Sequence, residues 1–240
     1  MNLSSNGWSL SLDLNGGRIQ NLVNNGVKVF GTYQRIDGKV GNTHICVPSF
    51  DKEGQDKYGL PFHGLVRNMK WHVIKKSISS VTISCTTFSS QEYPATLMVE
   101  QEFDLKNSFV HIVRVTNTQG SGVPVNIGVH YYWDTPKGWR ATTMDDQNIA
   151  HKIESNGYVD LKKECSIIFP HASYQVRVEG FRSVVLWTSY KANDQGNKSF
   201  SDDFCCIEPV IEWPHFFGSK TSILRSGATV SASICVKKVV

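Results

Sequence analysis

Apolar side chains recur at every second residue along much of this sequence. Trp8, Leu10, Leu12 and Leu14 alternate with Ser9, Ser11 and Asp13, the pattern of a strand with one buried face. Segments 19–23 and 27–30 flank Asn24-Asn25-Gly26, a hairpin signal. Residues 77–87 read as a further strand, with Val81, Ile83 and Cys85 on one face. Ala95, Leu97, Val99 and Phe103 run toward a turn at Lys106-Asn107, and 109–115 returns with apolar residues on both faces. Later strands are expected at 183–190, 205–212, 222–224 and 228–236. Helical periodicity is scarce; 144–154 reads as one short helix or an irregular loop. Strands joined by turns, with almost no βαβ alternation, predict an all-β antiparallel sandwich of large size. There is no internal repeat and no linker, so residues 1–240 are expected to form one domain.

The chain has 240 residues, enough for a single fold to bury roughly 70–75% of its unfolded surface without a metal or disulfide staple. Its 25 basic and 21 acidic residues give a net charge of +4. The basic residues are scattered, with only pairs such as Lys75-Lys76 and Lys162-Lys163, so nucleic acid is not an expected partner. No apolar run approaches the ~20 residues that span a bilayer, and the N-terminal residues lack the pattern of a signal peptide. A cytoplasmic protein with no membrane partner is expected. Its six cysteines have no C-x-x-C spacing and read as reduced thiols.

Three segments offer chemistry. In Tyr58-Gly59-Leu60-Pro61-Phe62-His63-Gly64-Leu65-Val66-Arg67, glycine and proline forbid a regular helix and disfavour a central strand. The result is a shaped loop that sets an imidazole near a guanidinium. In 123–133, Val123, Val125, Ile127 and Val129 share one strand face, and Asn126, Gly128, His130 and Tyr132 share the other. Gly128 leaves room beside His130. A histidine so placed lines a ligand site, faces solvent, or is buried against backbone. In Phe204-Cys205-Cys206-Ile207-Glu208-Pro209, a carboxylate stands in an apolar run. It is a base with a raised pKa, or it sits exposed on an edge strand beside proline. Glu212 reads as structural.

No G-x-S-x-G elbow, P-loop, dinucleotide fingerprint or H-E-x-x-H is present, and His44, Cys46, His63 and His72 fit no standard zinc spacing. No metal and no cofactor is expected. Histidines, enclosed carboxylates, an arginine and aromatics on a β-sandwich suit a carbohydrate site.

Gly16-Gly17-Arg18-Ile19, then His63-Gly64-Leu65-Val66-Arg67 with Trp71, then His130 in an aromatic strand, then Cys206-Ile207-Glu208-Pro209, resemble the aldose 1-epimerase (galactose mutarotase-like) family. The nearest branch is the glucose-6-phosphate 1-epimerase-like one. The resemblance implies a large antiparallel β-supersandwich and a cofactor-independent isomerase that interconverts α and β anomers of an aldose, a hexose or hexose phosphate. It implies Glu208 as general base, His130 as general acid and His63 beside them, with Arg67 positioning a small-molecule sugar or sugar phosphate. Asp194 stands where the family often has a sugar-holding aspartate, with Asp202 and Asp203 competing. Asn42, His44 and Trp133 are further candidates for sugar contact. Reference pKa values of about 4.3 and 6.5 make a protonated His130 beside an ionised Glu208 accessible near neutral pH with modest tuning. The alternative on the same scaffold is a non-catalytic carbohydrate-binding protein. The sequence gives no oligomeric state.

Overall fold

The computed structural model of the chain describes residues 1–213, 217 and 223–239. Two antiparallel sheets dominate the described residues. In the first, the strand order is Asn2–Ser5, Trp8–Asp13, Arg18–Asn24, Val27–Phe30, Tyr132–Asp134, Phe204–Val210, Gly128–His130 and His44–Cys46. Segment 128–134, interrupted at Tyr131, runs along one edge of Phe204–Val210, and Ser183–Trp187 runs along the other. The second sheet orders Gln147–Asn148, Thr143–Met144, Glu164–Phe169, Ala172–Glu179, Thr229–Val239, Phe109–Gly120, Ala95–Asp104, Ser80–Thr86 and His72–Lys76.

Alternation decides which face each residue takes. Trp8, Leu10 and Leu12 are buried, while Ser9, Ser11 and Asp13 are only half-buried. The inner faces of the two sheets meet in one large apolar cluster. Trp8 and Phe30 of the first sheet reach Phe109 of the second, and Trp133 reaches Phe169 and Tyr174. The Asn24-Asn25-Gly26 hairpin forms as expected, with Asn25 and Gly26 at φ 47° and 80°, the left-handed pair that a type I′ turn needs.

The structure departs from the pattern in several places. Lys52–Tyr58 is a helix that the sequence did not announce, because its only apolar member is Tyr58 and it contains Gly54. Residues 144–154 divide into the edge strands of the second sheet and the short helix Ala150–Glu154. The strand expected at 77–87 begins only at Ser80, because Ser77 accepts hydrogen bonds from the Ser79 and Ser80 amides and closes a turn. The strand expected at 183–190 stops at Trp187. In Phe109–Gly120 only one face is fully buried; Val110 and Ile112 lie half-buried on the outer face. Of the strand expected at 222–224, Ile223–Leu224 pairs with Val123–Pro124, and residue 222 lies outside the described residues.

Candidate functional site

Register assembles the site. Gly128 stands opposite Val210, so His130, two residues on, stands across from Glu208. His44 is the partner of His130 on its other side, and Val185 is the partner of Glu208. One step along the strands, Tyr132, Cys206 and Trp187 form the neighbouring row. All these side chains leave the sheet on the side away from Val129, Tyr131 and Trp133, which enter the core. His130, Glu208, Val185 and Trp187 line the floor of a cleft of about 770 Å³, and His44, Tyr132 and Cys206 pack beside them without lining it.

The space expected beside Gly128 is not empty. Phe50 fills it, and a Cβ at position 128 would lie 2.2 Å from the Phe50 ring. Phe50 in turn becomes a wall of the cleft, and its carbonyl oxygen accepts a hydrogen bond of 2.9 Å from His63 Nδ1. His63 has a left-handed backbone (φ 65°) and Gly64 follows at φ 74°. Gly64 is required there, because a Cβ would meet the Val47 carbonyl oxygen at 2.2 Å. The turn is tied down by Leu65 N donating to Val47 O. The glycine pair ahead of Arg18 serves the same loop. Gly16 N donates to Met69 O, and Arg18 donates to Arg67 O and to Asn42 Oδ1.

His130 and Glu208 are almost fully buried, and His130 Nε2 lies 3.5 Å from Glu208 Oε1. That spacing suits an ion pair but is long for a good hydrogen bond. The His130 ring is stacked between Tyr132 (4.8 Å between centroids) and His44 (5.0 Å), with His63 and Trp187 edge-on. Burial pushes the Glu208 carboxyl well above the usual range, and the Arg35 charge pulls it part of the way back. Burial, then the charges of His44 and His63, pushes His130 well below its ordinary value. Burial and Arg67 hold His63 down to about 3. Burial thus favours the neutral form of each member, a carboxylic acid and an uncharged imidazole, so the ionised pair needs more tuning than reference values suggest. The cause is desolvation, which costs two isolated charges more here than their separation returns.

The other sequence candidates are dispersed. Among the described residues the cleft is lined by His63, His130 and Glu208 but not by Arg67, Asp194, His44, Asn42 or Trp133. His44 stands behind His130, with Nδ1 donating to Asn42 O and Nε2 buried without a hydrogen-bond partner. Asn42 is thus a strut. Arg67 acts on His63 by its charge, and its buried Nε has no hydrogen-bond partner. Asp194 lies in an exposed turn, in the hairpin of Tyr190–Ala192 and Lys198–Phe200, away from the cleft. Trp133 is a core residue, because strand parity sends it to the inner face with Tyr131.

Arg35, Phe50, Trp187 and Tyr190, which were not among the sequence candidates, all line the cleft. Arg35 packs its guanidinium 4.9 Å over the Trp187 ring and pairs with Asp37 at 2.6 Å. It lies nine residues before His44 in sequence, so no local motif signals it; only the folded loop brings it to Glu208.

The buried histidines predict acid lability. His63 and His111 are held down to about 3, and His44 and His130 are lowered further than a surface histidine would be. Between about pH 6.5 and 3 the unfolded chain binds more protons at these sites than the folded one, so stability falls as pH falls. Each such histidine adds a slope of up to about 1.4 kcal/mol per pH unit. Glu208 acts with the opposite sign, since its raised folded pKa costs stability as pH rises above its unfolded value. Four histidines outweigh one carboxyl. Urea midpoints are expected to drop steadily from pH 6.5 to 4.5, and a flat profile would contradict neutral buried imidazoles.

Comparison with known proteins places this geometry in context. No curated protein matches the sequence significantly. Among solved structures, a galactose mutarotase-like protein from Lactobacillus casei superposes with a TM-score of 0.79 at 16% identity, over 100% of this chain and 99% of that one. A galactose mutarotase related enzyme from Lactobacillus acidophilus gives 0.77 at 14% identity, over 100% and 97%. A galactose mutarotase-like protein from Clostridium acetobutylicum gives 0.75 at 16% identity, over 99% and 94%. The chain thus has the galactose mutarotase-like sandwich fold. The model of the family described as aldose 1-epimerase matches residues 18–164, more than half of the sequence. That stretch holds the His63 loop and the His130 strand, and by this match the chain belongs to the aldose 1-epimerase family.

Proposed function

We propose that the protein is a cofactor-independent aldose 1-epimerase that interconverts the anomers of a neutral hexose. The observation that carries this reading is the Glu208–His130 pair, 3.5 Å apart on the floor of an aromatic-walled cleft. Opening a hemiacetal removes the proton of the anomeric hydroxyl and adds one to the ring oxygen. Those two oxygens share one carbon, so an acid and a base a few ångströms apart reach both. Rotation about C1–C2 and closure on the other carbonyl face complete the exchange. The net reaction consumes no proton, which matches a pair that holds one between its members.

Burial favours that proton on Glu208. Transfer to His130 Nε2 makes Glu208 the base for the anomeric hydroxyl and His130 the acid for the ring oxygen. Arg35 favours the ionised carboxylate, because its charge lowers the Glu208 pKa. His63 donates from Nδ1 to Phe50 O, which leaves Nε2 with a lone pair. It therefore accepts a hydrogen bond from a sugar hydroxyl and orients the ring. Trp187, Phe62 and Tyr190 supply apolar faces for the sugar. Six free thiols suit a reducing, cytosolic setting.

The charge around the cleft favours a neutral sugar over a phosphorylated one. Arg35 and Lys52 are matched by Asp37 and Asp51, and Arg35 is already paired with Asp37. A phosphate brings close to two negative charges into that balance. Exchange spectroscopy between α and β anomers tests both points. Glucose or galactose is expected to exchange faster with the protein than in buffer, and kcat/KM for glucose is expected to exceed that for glucose 6-phosphate. A preference for the phosphate would overturn the neutral-substrate reading. Line broadening with exchange at the buffer rate for every sugar would leave a sugar-binding protein instead.

A further inference from the structure

Cys206 is not used by the mechanism above, yet it lies buried beside both members of the pair, without itself lining the cleft. It shares a strand face with Glu208, two residues away, and sits one row from His130. One donor atom from each of His130, Cys206 and Glu208 lies within 4.8 Å of the other two, and all three residues are buried. Two of the three line the open cleft.

We propose that His130, Cys206 and Glu208 form a binding site for a thiophilic divalent cation such as Zn²⁺, and that this cation and a sugar exclude one another. Imidazole nitrogen, thiolate sulfur and carboxylate oxygen are the donor types that Zn²⁺ prefers. Bonds of about 2.0–2.3 Å in a tetrahedral site put donor atoms roughly 3.3–3.8 Å apart. The His130–Glu208 spacing of 3.5 Å already meets that. The three donor atoms lie within 4.8 Å of one another, so an adjustment of about 1 Å closes the third corner. The fourth corner faces the cleft, where water completes the set. Charge favours the site as well. Binding releases the Cys206 thiol proton and the Glu208 carboxyl proton to solvent, and the resulting thiolate and carboxylate with a neutral imidazole neutralise a dication, which suits a floor that is otherwise apolar. Packing holds the cysteine in place, since Cys206 rests in a cluster with Tyr33, Tyr132 and Phe204.

The competition half of the proposal rests on the sugar occupying the Glu208–His130 pair; cation binding itself does not. The experiment is therefore read first without sugar. Co²⁺ titrated into the purified chain is expected to produce a near-ultraviolet sulfur-to-cobalt charge-transfer band, which Zn²⁺ then bleaches. The band is expected to vanish in Cys206→Ser, and cobalt binding to weaken in Glu208→Gln, a change that keeps side-chain volume. Thermal midpoints of both variants establish that they are folded. No band in the native chain, or a band that survives in Cys206→Ser and so comes from another thiol such as the half-buried Cys235, would overturn the site. Saturating sugar is expected to shift the cobalt titration to higher concentration, and Zn²⁺ to slow anomer exchange until a chelator restores it. A cobalt titration unmoved by sugar would overturn the exclusion. Failure of every sugar to exchange would count against the epimerase reading alone, because the cobalt band decides the cation site independently.

Discussion

Glu208→Gln is expected to lower protein-dependent anomer exchange by about 10²–10⁴-fold, the usual contribution of one proton-transfer group. Glutamine keeps the volume of a side chain that is 2% exposed, so the cleft wall does not collapse. Its amide still bonds to a hydroxyl, so KM should change little while kcat falls. That split assigns the loss to chemistry rather than to sugar binding. Stability provides a second readout. The native carboxyl is held well above its ordinary pKa by burial, so folding a group that must stay protonated costs free energy above pH 4.5. Glutamine has no such cost, and the variant is expected to be at least as stable as the native chain at pH 8. Because His130 and Glu208 act as one unit, a variant carrying His130→Gln as well should lose little more than either single change. Exchange within a few-fold of native in Glu208→Gln would remove the residue from its role.

The same residues show how far sequence reasoning reaches. Period-two alternation sorts Val129 from His130 and Glu208 from Ile207, and register then brings His130 and Glu208 into one row. The floor of the cleft is legible because β-strand parity is a local property. Its walls are not. Arg35, Trp187 and Tyr190 come from loops and strand ends, and nothing within a few residues of each marks it as facing the cleft. The strength of the pKa shifts stayed hidden for a related reason. Reference pKa values carry no desolvation, and full enclosure of His130 by four aromatic and imidazole rings appears only once the sheets and the His63 loop are in place. The helix at Lys52–Tyr58 escaped because it displays no apolar stripe to a core.

Trp133 was a sequence candidate for sugar contact that the structure places in the core, and a substitution there separates the two roles. As a sugar platform it would matter to binding; as an inner-face residue it matters to folding. Its ring is 1% exposed and packs against Phe30 at 4.7 Å, Phe169 at 5.5 Å and Tyr174 at 5.4 Å, bridging the two sheets at the centre of the sandwich. Trp133→Ala removes that bridge and leaves a cavity that two pleated sheets, pinned by their own ladders, close poorly. The expected cost is about 3–5 kcal/mol, a large share of the stability of an ordinary domain. It should show as a lower urea midpoint with an unchanged slope. Trp133→Phe is expected to cost much less. Phenylalanine keeps an aromatic contact with the partner rings, and it deletes the Trp133 Nε1 donor, which is buried without a hydrogen-bond partner. Sugar affinity of the folded Trp133→Phe protein should match that of the native chain, since the residue faces away from the cleft. A loss of affinity with stability unchanged would put Trp133 in the sugar site and reverse the parity that places His130 and Glu208 there.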